Sequence, residues 1–162
     1  MQKYIGMKEI KAVPMNRREY NKLRGWGVPT DENPNDEGYL VEYDDSKKNH
    51  PNFDGYISWS PKNLFEATYQ NISDGFDFGS AIHFLKQGKK VARKGWNGKG
   101  MFLFLVEGSK FIANCEPLLS IFGERAEIDY CPHIDMKTAD NKIVPWLASQ
   151  TDILATDWVL VE

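Results

Sequence analysis

The sequence predicts an α+β protein of two small modules, the C-terminal one an antiparallel sheet with one main helix at its N-terminal side. Three observations carry that expectation. Beyond residue 74 there is one strong helical stripe, followed by short apolar or alternating runs separated by turn residues, an order that suits an antiparallel sheet. A short polar seam, Asn71 to Gly75, interrupts the chain. Ahead of it, strand, helix, strand, strand and helix signals follow one another as in a module of its own. The expected domains are therefore 1–72 and 74–162, and a length of 162 residues accommodates them.

Within the first module, Lys3 to Val13 reads as a strand, with Ile5, Met7 and Ile10 as core candidates. Asn16 suits an N-cap, and Glu19 three residues later suits a capping box, for a helix to about Arg24. Gly25 to Gly38 is a loop rich in Pro, Asn and Asp. Gly38 to Tyr43 and Tyr56 to Trp59 are strands joined by a polar connection. Ser60-Pro61 signals a helix start, cap then N1 proline, for a helix over Lys62 to Gln70 that presents Phe65 and Tyr69 on one face.

In the second module, Asp77 caps a helix through Gln87, with Phe78, Ile82 and Leu85 on its stripe. Gly88 stands where the helix end needs a left-handed residue. Lys89 to Lys94 reads as a strand, Gly95 to Gly100 as a loop, and Met101 to Val106 as a buried strand. Glu127 to Tyr130 and Ile134 to Met136 are further strands. Thr138 to Asn141 turns the chain into Lys142 to Trp146, and Trp158 to Val161 closes the module.

Composition narrows the function. Hydrophobic residues make up 41% and aromatic ones 13%, with five Trp, more rings than a core this size needs. No run approaches the roughly 18 apolar residues of a membrane span, and the first residues lack a signal-peptide stretch. A cytoplasmic protein is expected. Cys115 and Cys131 read as reduced core thiols rather than a disulfide. The net charge of −3 argues against bulk duplex binding. From Phe78 to Val106, however, there is no Asp or Glu, while Lys86, Lys89, Lys90, Arg93, Lys94 and Lys99 are present. Such a local field on an acidic chain suits a small anion.

The informative segment is Lys89 to Gly100. It sets Trp96 on a glycine loop among cations, which is what a nucleotide's base and phosphates require. Asn97 adds an amide able to read a base edge or a ribose hydroxyl. The same residues also fit a solvated basic hairpin with Trp96 packed at its edge. Trp146 ends a second hairpin and leads into Ser149, Gln150, Thr151 and Asp152. These would supply polar contacts beside a second ring, or a core Trp followed by a helix cap. Enzyme signals are thin: no P-loop, no Gly-x-Ser-x-Gly elbow, and no catalytic or metal set. Cys131, His133 and Asp135 offer three possible ligands within five residues of one strand, but no second cluster completes a metal shell.

Residues 76–162 resemble the second type of Thoeris anti-defence protein, a phage family of nucleotide sponges. The matching segments are Phe76 to Ala81, Gly88 to Gly98, Met101 to Val106, Pro132 to Ala139, Val144 to Asp152 and Asp157-Trp158. The resemblance implies a protein that binds cyclic ADP-ribose-type signals made by TIR-domain proteins and releases them intact. Some relatives also take up cyclic dinucleotides. It implies a homotetramer in the bacterial host cytoplasm, with pockets between subunits, no cofactor and no membrane or nucleic-acid partner. Trp96 and Trp146 would stack on bases, with Arg93, Asn97, Ser149, Gln150 and Asp152 as polar contacts. The first module resembles an accessory segment of small phage proteins. The competing readings are a single-stranded nucleic-acid or host-protein binding module and a nucleotide-cleaving enzyme.

Overall fold

The computed structural model describes residues 1–162, which fall into two compact units, 1–70 and 71–162. In the first, β1 (Lys11–Pro14), β2 (Gly38–Tyr43) and β3 (Tyr56–Pro61) form an antiparallel sheet in that order. The helix α1 (Arg17–Arg24) begins with the expected capping box. Glu19 N donates to Asn16 Oδ1 at 2.9 Å, and Asn16 N donates to the Glu19 carboxylate at 3.1 Å. Tyr20 of α1 packs on Leu40 and Ile57, one face of the sheet. On the other face Tyr39 stacks on Phe65 of α2 (Lys62–Thr68), and Phe65 stacks on Tyr69.

Expectations for this unit are corrected at both ends. The first strand covers only Lys11–Pro14, because the ladder with β2 stops at Lys11 opposite Glu42. Without a partner strand Ile5 and Met7 stay exposed and are not core. Ser60 does not cap α2 either. It remains in the β-ladder opposite Tyr39, and Pro61 takes the cap position with no side-chain bond.

The second unit begins with α3 (Phe78–Lys86). Asp77 accepts from Ser80 N at 2.7 Å, and Gly88 turns the chain out of the helix at φ 78°. A five-stranded antiparallel sheet follows, in the order β10 (Trp158–Val161), β4 (Lys90–Arg93), β5 (Phe102–Val106), β8 (His133–Lys137) and β9 (Ile143–Pro145). Its register sets Val91 and Met136 opposite Leu103, and Ile134 opposite Leu105, so these side chains share a face. They pack with Ala81, Phe84, Leu85 and Trp158 into the core under α3. Phe84 was not on the expected stripe, yet it is more deeply buried than Phe78 or Ile82.

Between β5 and β8 the chain makes an excursion that the sequence pattern did not reveal in full. β6 (Ser109–Ile112) pairs with β7 (Glu127–Tyr130), and the short helix α4 (Leu118–Phe122) lies between them. Ile112, Ile121 and Phe122 remain exposed there. Cys115 and Cys131 are free, as expected, but exposed and not core thiols. A last short helix, α5 (Gln150–Ile153), precedes β10. No helix of the chain is long and apolar enough to cross a membrane.

Candidate functional site

Three tryptophans meet at one end of the five-stranded sheet. Trp158 opens β10 and is fully buried. Trp96 lies edge-to-face with it at 5.6 Å between centroids and 77° between planes. Trp146 does the same at 6.1 Å and 84°, and also meets Phe78 at 6.1 Å. Both outer rings are half-buried against the core. The perpendicular geometry is the one that ring quadrupoles favour. Trp96 is thus neither a freely exposed ring nor a wholly internal one, and Trp146 has the same intermediate status.

Beside the rings sits an ion network. Arg93 is opposite Trp158 in the β4–β10 ladder. Its Nε donates to Asp157 Oδ1 at 2.8 Å and its Nη1 to Asp152 Oδ1 at 2.9 Å. A further Nη1 contact reaches Thr151 O at 3.3 Å. Asp157 Oδ2 accepts from Gly95 N at 2.8 Å. Burial of Asp157 opposes its ionisation, but the Arg93 hydrogen bond and the Gly95 N–H outweigh burial and lower its pKa. Asp152 is lowered in the same way, with the Ser149 and Arg93 hydrogen bonds overcoming burial. Arg93 is raised still further above its ordinary value, first by Asp157 and then by Asp152.

Ser149 caps α5 and closes a box with Asp152, whose N–H donates to Ser149 Oγ at 3.2 Å while Ser149 N donates to Asp152 Oδ2 at 3.1 Å. Arg93 and Ser149 are therefore brought together through Asp152, to which both are hydrogen-bonded. Asn97 and Gln150 are exposed, next in the chain to Trp96 and Ser149. Sequence reasoning missed Asp157, Trp158 and Phe78 as members of this cluster. The adjacent Asp157-Trp158 pair was visible, but its partner Arg93 lies 64 residues earlier and no local pattern joins them.

Some of the cations are engaged inside the unit. Lys94 Nζ donates to Asp74 O at 2.9 Å, and Lys90 Nζ lies over Phe102 at 5.3 Å. His133 and Asp135 face each other at 3.7 Å, and no cluster of three or more His, Cys, Asp or Glu forms a metal-holding group. A concavity of about 510 Å³ lies at the root of the β6–β7 excursion, bounded by Leu105, Lys110, Tyr130 and Pro132, and includes neither Trp96 nor Trp146.

A helix on one face of a twisted antiparallel sheet, with aromatic rings and an Arg–Asp network gathered at one end, defines the C-terminal unit as a small α+β domain with a built polar–aromatic surface. Residues 76–161 match the model of the Thoeris anti-defense 2-like domain, and the chain belongs to that family. The chain is also 48% identical over 85 residues to Thoeris anti-defense 2 of Bacillus phage SP01, an alignment that covers 52% of this chain and 92% of that relative. Membership gives the chain a phage anti-defence role directed at Thoeris. Residues 1–75 lie outside the matched range.

Proposed function

We propose that the chain exerts its anti-defence role by binding a cyclic ADP-ribose-type signalling nucleotide and holding it unchanged in the host cytoplasm. The observation that carries this reading is the pair of half-buried rings, Trp96 and Trp146, set edge-on to Trp158 beside the Arg93 network. The rings supply stacking surfaces for bases. Asn97 and Gln150 are exposed amides at their margins, while Arg93, Ser149 and Asp152 offer whatever bonding capacity their mutual contacts leave. Arg93 Nε and Nη1 are engaged by Asp157, Asp152 and Thr151 O, which fixes the guanidinium beside the rings.

Energetics permit tight capture. Nanomolar affinity corresponds to about −12 kcal/mol. Stacking contributes roughly 1–3 kcal/mol per base, and charge-assisted hydrogen bonds about 1.5–3 kcal/mol each. Asp152 and Asp157 are held ionised by their hydrogen bonds, among them those from Arg93, which suits an electrostatic scaffold and disfavours a proton-donating role for either. The open surface around the rings supports a pocket completed by a second subunit, in a homotetramer. Exposed Ile112 (54%), Ile121 (66%) and Phe122 (58%) supply apolar area for such assembly. In this reading residues 1–72 are an accessory module.

Calorimetric titration tests the binding step. Nanomolar uptake of a cyclic ADP-ribose-type nucleotide, with little response to a single-stranded oligonucleotide, is the expected result. Oligonucleotide binding that strengthens with length and falls steeply with salt, with no uptake of the cyclic nucleotide, would replace this reading by a nucleic-acid one.

A further inference from the structure

We propose that Asp157 is a positioning residue, holding the Trp96 loop in its receiving place and, through Arg93, locking it to the capped turn after Trp146. This rests on the reading of that surface as the nucleotide site. One residue grips consecutive positions of the loop. Oδ1 accepts from Arg93 Nε at 2.8 Å, the main-chain O from Lys94 N at 3.0 Å, and Oδ2 from Gly95 N at 2.8 Å. The next amide is also fixed, since Trp96 N donates to Arg93 O at 3.2 Å. The approach is close: a Cβ on Gly95 would stand 2.9 Å from Asp157 Oδ2 and would push that carboxylate aside.

Asp157 is itself anchored. It precedes Trp158, which is fully buried and paired with Arg93 in the sheet. From Arg93 the network continues to Asp152 and into the Ser149 capping box. A continuous run of charged hydrogen bonds thus ties the backbone bearing the first ring to the helix cap that follows the second. Bonds of this type are short and directional, and fixing both loops before ligand arrives removes the ordering cost from binding.

The test uses the full chain with Asp157→Asn, which keeps the shape but cannot accept from both Arg93 and Gly95. Arg93→Gln is the companion variant, which spares the Asp157–Gly95 bond. Amide hydrogen exchange and affinity for a cyclic ADP-ribose-type nucleotide are measured together. In Asp157→Asn, exchange at Gly95 and Trp96 rises at least about ten-fold while the β5 and β8 amides hold, and affinity falls at least about ten-fold. In Arg93→Gln, Gly95 stays protected while the turn at Ser149 to Asp152 loosens. Unchanged exchange at Gly95 and Trp96, or equal loosening of the whole sheet, overturns the proposal. So does a loosened loop with undiminished affinity. If the unaltered chain takes up no cyclic nucleotide, the nucleotide reading fails, and the loop clamp stands or falls on the exchange pattern alone.

Discussion

Trp96 and Trp146 share one neighbour, Trp158, and this decides what removing either ring would do. The glycine-flanked, basic setting of Trp96 alone suggests a ring whose loss leaves the fold untouched. Its packing against Trp158 adds a structural share. Trp96→Ala is expected to abolish nucleotide capture and to cost about 1–2 kcal/mol of stability, less than the 3–5 kcal/mol of a fully buried ring. Trp146→Ala should cost more, because it also touches Phe78. Thermal melts beside calorimetry check both. A Trp96→Ala protein of unchanged affinity would remove the stacking role. The acids of the network set a pH dependence whose sign is fixed. Asp152 and Asp157 titrate below their ordinary range in the folded chain. Their contribution is complete above the unfolded carboxylate value of about 3.9 and fades as pH falls through the lowered folded values. Near-ultraviolet circular dichroism from the tryptophans should therefore hold constant from about pH 8 to 5 and change only below about pH 4. A transition near pH 6 would assign control to a histidine instead.

Helix starts were legible where a side-chain cap and its partner lie within three residues, and misread at α2, where Ser60 stays in the ladder and no side chain caps the helix. Asn16 with Glu19, and Asp77 with Ser80, were readable because the partners are adjacent in sequence. Asp77→Ala should cost about 1 kcal/mol, seen as a lower melting temperature of the C-terminal unit. An unchanged melt would mean that α3 is held by its buried face alone. Strands were legible where alternation or an apolar run marked them, as at Phe102–Val106 and Ile134 to Met136. They failed where existence depends on a distant partner. Residues 3–10 have strand composition but no ladder, and Ser109–Ile112 is a strand only because Glu127–Tyr130 pairs with it. The site followed the same rule. Its rings stood out as residue types, whereas the Arg93–Asp157 bond joins β4 to the start of β10 and leaves no local trace.

At the scale of the whole molecule, the division at residue 70 gives each unit its own core, Tyr20, Leu40 and Ile57 in one, Phe76, Phe84, Leu85, Leu103 and Trp158 in the other. A chain of residues 73–162 should remain folded and bind nucleotide, as solubility and calorimetry would show. Loss of binding would make the N-terminal unit part of the site. The exposed apolar residues of the β6–β7 excursion argue for assembly, and light scattering at micromolar concentration should give a tetramer. A ligand that bridges subunits should strengthen that assembly by mass action. A monomer that binds fully would place the pocket within one chain. The central claim is that the nucleotide is held and not altered. The direct measurement is to load the protein with a cyclic ADP-ribose-type nucleotide, remove free ligand, denature, and weigh what is released. The account predicts the intact cyclic nucleotide in stoichiometric amount, and release of a linear or cleaved product would contradict it.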